Sequence, residues 1–455
     1  MAQVLPPSFI QSLEEVEGFN KKAFIEAHEQ ASQLTSIRLN PCKTTPAIND
    51  LPVESEVPWC AEGRYLSQRP SFTLDPVFHG GAYYVQEASS MFLDHIVKEI
   101  YKDTPPPKRV VDLCAAPGGK STLLAAALPG SFIVSNEVIK TRVSVLAENI
   151  SKWGSDNVIV TNNDPKDFKK LPGFFNLMVV DAPCSGSGLF RKDAHAIEEW
   201  SPANVDMCSL RQQRILSEAI PALQQNGYLI YSTCSYSKEE NENICDWIVD
   251  QFDLQPVKIA VNPSWGIVET VSDKQAATGY RFYPDKVRGE GFFVACFKQH
   301  NDVDNYYGYH NKMAVASNHI QTLVSPLLKN AGQYVLRDQK EIVIASLKKW
   351  EEEIAAVEKA LYVRKSGVAI GTVKGKNVIP HHELALSNLL STDISFVNLE
   401  KEAALKYLRR QDLSVDTEKK GWTLCRFGGI NLGWIKVLPN RVNNYYPTNW
   451  RILMH

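Results

Sequence analysis

No two cysteines in this chain form a C-x-x-C pair; the nearest, Cys234 and Cys245, lie 11 residues apart. That spacing argues against a structural zinc site, and an odd count of nine in a chain of 455 residues does not suggest a disulfide framework. A basic region followed by an apolar run is also missing from the N-terminus, where Pro6, Pro7 and Glu14 stand instead. No apolar stretch approaches the ~20 residues of a membrane span. These absences predict a cytoplasmic protein with reduced thiols, no bound metal and no membrane contact. Two nucleotide-binding fingerprints fail as well. The 113–120 loop is not G-x-G-x-x-G, and Cys114, five residues before Gly119, stands where a phosphate-cradling loop needs glycine.

A large charge of one sign is lacking too, since the net charge is −2, but the charge is unevenly spread. Residues 361–455 hold 14 Lys and Arg against 7 Asp and Glu, while the other 360 residues hold 35 against 44. After Glu418 no acidic residue appears, whereas Lys419, Lys420, Arg426, Lys436, Arg441 and Arg451 do. A basic tail on an acidic body suggests a polyanionic partner, although a solvated basic face gives the same count.

The length allows two or three domains. Residues 1–104 read as an accessory α+β lobe, with Phe9, Leu13, Val16 and Phe19 on one helical face and a strand over Thr35–Asn40. Pro105–Lys108 links this lobe to a core over 105–299. There short apolar strands are expected at 110–113, 131–136, 157–161, 175–181 and 227–232, with helices over 120–128, 140–152 and 203–224. Such alternation predicts an α/β, Rossmann-like fold with a parallel sheet covered on both faces. A connection over 300–361 is expected to end in a long charged helix, Asp338–Leu361. Residues 362–455, with short strands broken by glycines, read as a separately folded β-rich module.

In an open parallel sheet, ligands bind beyond the carboxyl ends of the strands. Gly118 and Gly119, after the first strand, let a ligand approach the backbone. Glu137 follows the second strand and is placed for a ribose diol. Asp164 follows the third and could take an adenine amine, while Asp112 or Asp181 could face a cationic end. No arginine cluster awaits a diphosphate. A nucleoside with a sulfonium tail, S-adenosylmethionine, fits this set.

Asp181-Ala-Pro-Cys184 ends the fourth strand and Ser232-Thr-Cys234 the fifth, so two thiols reach one crevice. Thiols beside a methyl donor suit a target that is not itself nucleophilic, such as cytosine C5. A thiolate adding to C6 makes C5 electron-rich, and loss of the C5 proton after methylation expels the thiol. Asp181 could hydrogen-bond the cytosine edge.

Leu113-Cys-Ala-Ala-Pro-Gly-Gly-Lys120, Asp181-Ala-Pro-Cys-Ser-Gly-Ser-Gly188 and Ser232-Thr-Cys-Ser235 together resemble the signatures of the Nol/Nop/Sun RNA cytosine-5 methyltransferases. The resemblance implies a class I S-adenosylmethionine-dependent fold, Cys234 as nucleophile and Cys184 as the residue aiding product release. It also implies cofactor contacts at Cys114, Ala115, Ala116, Pro117, Gly118, Gly119, Lys120, Glu137, Asp164 and Asp181. Gln86-Glu-Ala-Ser-Ser90, Glu239-Glu-Asn-Glu242 and Gly289-Glu-Gly-Phe-Phe293 are similar to further family elements, and 1–104 becomes an RNA-binding lobe. Leu432-Gly-Trp-Ile-Lys436 and Asn444-Tyr-Tyr-Pro447 with Arg451 resemble the PUA-like RNA-binding domain of the bacterial branch that methylates 16S ribosomal RNA. A monomer acting on RNA is therefore expected. Competing readings are a transfer-RNA methyltransferase, an enzyme with Cys184 as nucleophile, and a non-catalytic ribosome-assembly factor.

Overall fold

The structure, a computed structural model of the chain, describes residues 5–30, 34–303, 306 and 313–454. Seven strands carry its core: β1 Arg109–Asp112, β2 Phe132–Asn136, β3 Val158–Thr161, β4 Phe175–Asp181, β5 Leu223–Thr233, β6 Thr278–Phe282 and β7 Phe292–Lys298. They stand side by side as β6-β7-β5-β4-β1-β2-β3 within a ten-stranded sheet. β1 to β5 are mutually parallel, and β7 closes antiparallel on β5. This is the fold of class I methyltransferases.

Alternation along each strand explains the two covered faces. Val110, Ile133, Val158 and Leu177 pack under Leu123 and Leu124 of the Gly119–Ala127 helix and Leu146 and Ile150 of the Lys140–Trp153 helix. Their neighbours Val111, Val134, Ile159 and Met178 pack under Ile215 and Leu216 of the Pro202–Ala219 helix and Ile244 and Ile248 of the Glu242–Phe252 helix. Each such side chain, fully buried, contributes about 1.5–3 kcal/mol. The helix expected to reach residue 224 stops at Ala219. Pro221 has no N–H to continue the ladder, so a short 3-10 turn over Ile220–Ala222 leads straight into β5.

The N-terminal lobe is a four-stranded antiparallel sheet ordered Val53–Val57, Cys60–Leu66, Thr35–Leu39, Tyr83–Val85. Arg38, 1% exposed, fastens it to the core. Its guanidinium donates to Gln86 Oε1 at 2.8 Å, to Thr122 Oγ1 at 2.6 Å and to Gly119 O at 3.3 Å, and lies 4.5 Å from the Trp153 ring centroid. Phe9, Leu13 and Val16 are buried in an aromatic cluster with Phe190, Trp200 and Tyr236, but the helix expected to carry them ends at Ser12 and Phe19 is only partly buried.

The expected long helix Asp338–Leu361 does not form. Tyr334–Gln339 and Ile342–Leu347 make an antiparallel hairpin, and only Glu351–Ala360 is helical. Lys340 and Glu341 both have positive φ, the backbone of a two-residue primed turn, and the β-branched Ile342-Val343-Ile344 run outweighs the surrounding charges. This hairpin continues into Val368–Lys374 and Asn377–Pro380 as one sheet, so a division at 361/362 separates strands that share hydrogen bonds. A second pairing also crosses the expected boundary at 361/362. Val363–Ser366 pairs antiparallel with β3 and extends the core sheet. The last sheet runs Phe396–Asn398, Gly421–Phe427, Ile430–Val437, Val442–Asn444. Among the described residues no helix is long and apolar enough to cross a membrane.

Candidate active site at the strand ends

β1 ends at Asp112, and the chain must turn at once to begin the Gly119–Ala127 helix. Gly118 makes that turn at φ +115°, in the left-handed region where a Cβ is strained. Ala115 N donates to Asn136 O at 2.8 Å, Arg142 to Ala116 O at 2.5 Å and Asn149 to Pro117 O at 2.8 Å. The loop is thus held from β2 and from the following helix. Cys114, Ala115, Ala116, Pro117, Gly119, Lys120 and Asp181 line one cleft of about 190 Å³. Its opposite wall is Tyr84, Gln86, Glu87 and Ser90 of the N-terminal lobe. Gly118 belongs to the same loop, whereas Glu137 and Asp164 lie outside that lining.

Glu137 is 3% exposed; its Oε1 accepts from Ile139 N at 2.9 Å and its Oε2 faces Arg142 at 3.4 Å. Asp164 accepts from Lys166 N at 3.1 Å and from Arg214 at 3.2 Å. Val138 and Ile139, beside Glu137, expose apolar side chains that sequence reasoning passed over. Asp112 lies beneath the loop, fully buried. One oxygen accepts from Ser121 Oγ at 2.6 Å and the other, Oδ1, has no partner. Burial pushes its pKa up to about 7 against the pull of Ser121 and Lys120.

β4 and β5 are adjacent and parallel, and they bring Cys184 Sγ to 3.1 Å from Cys234 Sγ. Both thiols are partly exposed. Gly188 lets the two loops meet: its N–H donates to Cys234 O at 2.8 Å, and a Cβ there would lie 2.4 Å from Gly291 O. Lys120 Nζ pairs with Asp181 Oδ2 at 2.8 Å, while Asp181 Oδ1 accepts from Ser232 Oγ at 2.8 Å. Burial opposes the Lys120 charge, but Asp181, Asp112 and Cys234 outweigh it and raise the ammonium above the ordinary lysine value. The Cys184 thiol is pushed well up, first by its hydrogen bond with Cys234, then by burial, the Cys234 charge and Glu240.

Sequence reasoning named Glu239-Glu-Asn-Glu242 without giving it a task. Glu240 is fully buried and accepts hydrogen bonds from Ser185 and Ser235, the residues that follow the two cysteines. Gln212, on the Pro202–Ala219 helix, was not singled out, and its amide donates to Pro183 O at 3.1 Å. A polar residue among the buried positions of a helix was the available signal.

Three family descriptions match successive parts of the chain. They are the N-terminal domain of 16S rRNA methyltransferase RsmF over 5–88, 16S rRNA methyltransferase RsmB/F over 102–298, and the methyltransferase RsmF PUA domain over 395–452. Ribosomal RNA small subunit methyltransferase F of Aliivibrio fischeri is 30% identical over 405 residues, covering 86% of this chain and 84% of its own. The protein of that name from Klebsiella pneumoniae is 30% identical over 412 residues, covering 86% and 83%. A methyltransferase homolog protein from Pyrococcus horikoshii superposes with a TM-score of 0.52 at 28% identity, over 65% of this chain and 100% of that one. The chain therefore belongs to the RsmB/F family of 16S rRNA methyltransferases, which are S-adenosylmethionine-dependent enzymes.

Proposed function

We propose that this enzyme methylates C5 of a specific cytosine in 16S rRNA, through an adduct between Cys234 Sγ and cytosine C6 that Cys184 helps to resolve. The 3.1 Å contact between the two sulfurs, at neighbouring strand ends beside an Asp–Lys pair, carries this reading. One thiol serves as the nucleophile, and the second, in contact with it, is placed to help take the adduct apart.

S-adenosylmethionine, when bound, supplies an electrophilic methyl group. The glycine turn at Gly118 and the Lys120–Asp181 pair in the cleft wall fit a close-packed ligand with an amino-acid end. Cys114 to Lys120 and Asp181 would hold its amino-acid end, Glu137 its ribose, and Asp164 the purine side, with Val138 and Ile139 flanking the ring. Asp181, fixed by Lys120 and Ser232, would accept a hydrogen bond from the cytosine amino group and so orient the ring as the Cys234 thiolate adds to C6, with the ring proton drawn from solvent. Once C5 carries the methyl group, its proton passes to a base, the C6–S bond breaks and the Cys234 thiolate is restored. Cys184 is assigned that base: its thiol first releases its proton to solvent, and the thiolate so formed takes the C5 proton. The target cytosine must leave any helix to reach Cys234, so a flipped or looped nucleotide is required.

The C-terminal sheet supplies an RNA-binding surface in this reading. Trp434 and Tyr446 are buried, but Tyr445 is exposed, 4.5 Å from the half-buried Trp422 ring, with Lys436 Nζ 5.3 Å above Trp422. Stacking aromatics beside a cation suit an unpaired base and its phosphate. Bisulfite sequencing of small-subunit rRNA from cells with and without the gene tests the whole proposal. One cytosine that loses protection in the deletion supports it. An unchanged profile sinks the ribosomal assignment and moves the search to transfer RNA.

A further inference from the structure

Glu240 has no assigned part in the chemistry, yet it touches both cysteine loops. It is wholly buried at the end of the 3-10 turn Lys238–Glu240. Its Oε1 accepts from Ser185 N at 2.8 Å and from Gln212 Nε2 at 3.2 Å. Its Oε2 accepts from Ser185 Oγ and from Ser235 Oγ, both at 2.5 Å. The same Gln212 amide reaches Pro183 O, and Tyr231 Oη donates to the Glu240 backbone carbonyl at 2.6 Å. Four donors from three separate segments thus converge on one carboxylate, and none of these four carries a charge. A buried carboxylate is costly unless several donors satisfy it: burial raises the Glu240 pKa above the ordinary carboxylate value, and the hydrogen bonds from Ser185, Ser235 and Gln212 pull it back down.

We infer that Glu240 is the positioning residue of this active site: its carboxylate clamps the Cys184 loop to the Cys234 loop and places its negative charge on the Cys184 side. The inference rests on the two-thiol mechanism proposed above. Cys184 and Cys234 precede Ser185 and Ser235 directly, so the two hydroxyls sharing Oε2 fix the separation of the sulfurs. A sideways error of ~1 Å in such a pair costs on the order of 10²-fold in rate.

The charge does a second thing. Two thiols in contact at equivalent strand ends need something to make them unequal. Glu240 takes two hydrogen bonds from Ser185, beside Cys184, and one from Ser235, and its charge raises the Cys184 thiol, whereas Lys120 is tied to Asp181 at the end of β4. A carboxylate beside Cys184 keeps its proton on in the resting enzyme, which leaves Cys234 as the attacking sulfur. When Cys184 later loses that proton, the same carboxylate makes it the stronger base toward C5.

Glu240→Gln keeps the shape and removes the charge. In a Cys234→Ala background, without RNA or cofactor, iodoacetamide labelling of Cys184 is followed by peptide mass spectrometry from pH 6 to 11. The half-maximal rate should move to lower pH by about one unit when Glu240→Gln is added. A midpoint that stays put in a folded protein overturns the charge assignment, because a purely structural residue leaves it unmoved. In the enzyme with both cysteines, Glu240→Gln should lower kcat by about 100-fold with little change in KM for S-adenosylmethionine. Glu240→Asp keeps the charge but is one methylene shorter, so it should hold the labelling midpoint and still lose turnover. Equal turnover in Glu240→Asp and wild type overturns the clamp. Thermal melts of each variant separate these outcomes from unfolding. The labelling uses neither substrate, so it stands even if cytosine methylation is disproved.

Discussion

Asp112 offers the sharpest test of how the cofactor loop is built. Its carboxyl is fully buried under residues 113–118, with one oxygen on Ser121 and the other unpartnered, and burial raises its pKa from 3.8 to about 7. The folded protein therefore holds a proton that the unfolded chain releases, and stability falls as pH rises from about 4 through about 7. The full rise of about three units corresponds to about 4 kcal/mol, of which about 3 kcal/mol falls between pH 5 and pH 8. Asp112→Asn is neutral throughout and keeps an acceptor for Ser121. Urea unfolding of both proteins at pH 5 and pH 8, without cofactor, should show the wild type losing about 3 kcal/mol more than the variant over that interval. His28, His79 and Lys43 also have shifted values, but they are common to both proteins and cancel in the comparison. Parallel pH profiles for the two proteins would refute the reasoning, because the buried charge would then be compensated by something other than a proton.

Cys234→Ala should abolish methyl transfer and RNA adducts, while Cys184→Ala should accumulate RNA-linked protein on denaturing gels; the reverse pattern makes Cys184 the nucleophile. Gly188→Ala should destabilise by about 1–3 kcal/mol in thermal melts, since its Cβ would meet Gly291 O at 2.4 Å and Cys234 O at 2.8 Å. Arg38→Met should cost about 3–5 kcal/mol, because it strips the donors of Gln86 and Thr122 and frees the N-terminal lobe from the cofactor helix. Wild-type melting in that variant would show that the lobe is held by other contacts. Trp422→Ala should weaken rRNA binding by about 1–3 kcal/mol in filter-binding titrations.

The core was legible because its signals are local. Apolar runs such as Phe175–Asp181 and Tyr228–Thr233 stop abruptly at small polar residues, and a parallel sheet forces each such stop to one edge. That rule brings the two thiols and the 114–120 loop to one edge, while their separate roles came from the family resemblance. The hairpin over 334–347 was hidden, since Arg337, Asp338, Lys340 and Glu341 mimic the charged face of a helix. Its turn needs two residues at positive φ, and neither Lys340 nor Glu341 announces that conformation. Val363–Ser366 was read as part of a separate module because its partner, β3, lies some 200 residues earlier, and edge pairing at that distance has no sequence period to betray it. The wall facing the cleft was hidden for a related reason. Gln86 reaches Arg38 only because Tyr83–Val85 pairs with Thr35–Leu39.

The roles of the two sulfurs present a different problem, since geometry alone treats them alike. Each follows a core strand, each is half-exposed, and each lies 3.1 Å from the other. Only their surroundings differ. Lys120 is delivered by the first turn after β1 and is tied to Asp181 at the end of β4, while Glu240 arrives from the turn after β5 and is tied to Ser185 and Ser235. A motif that names the cysteines therefore carries only half of the chemical information. The other half lies in a lysine and a glutamate that flank them from opposite sequence directions, and it becomes readable once the sheet order places β1, β4 and β5 next to one another.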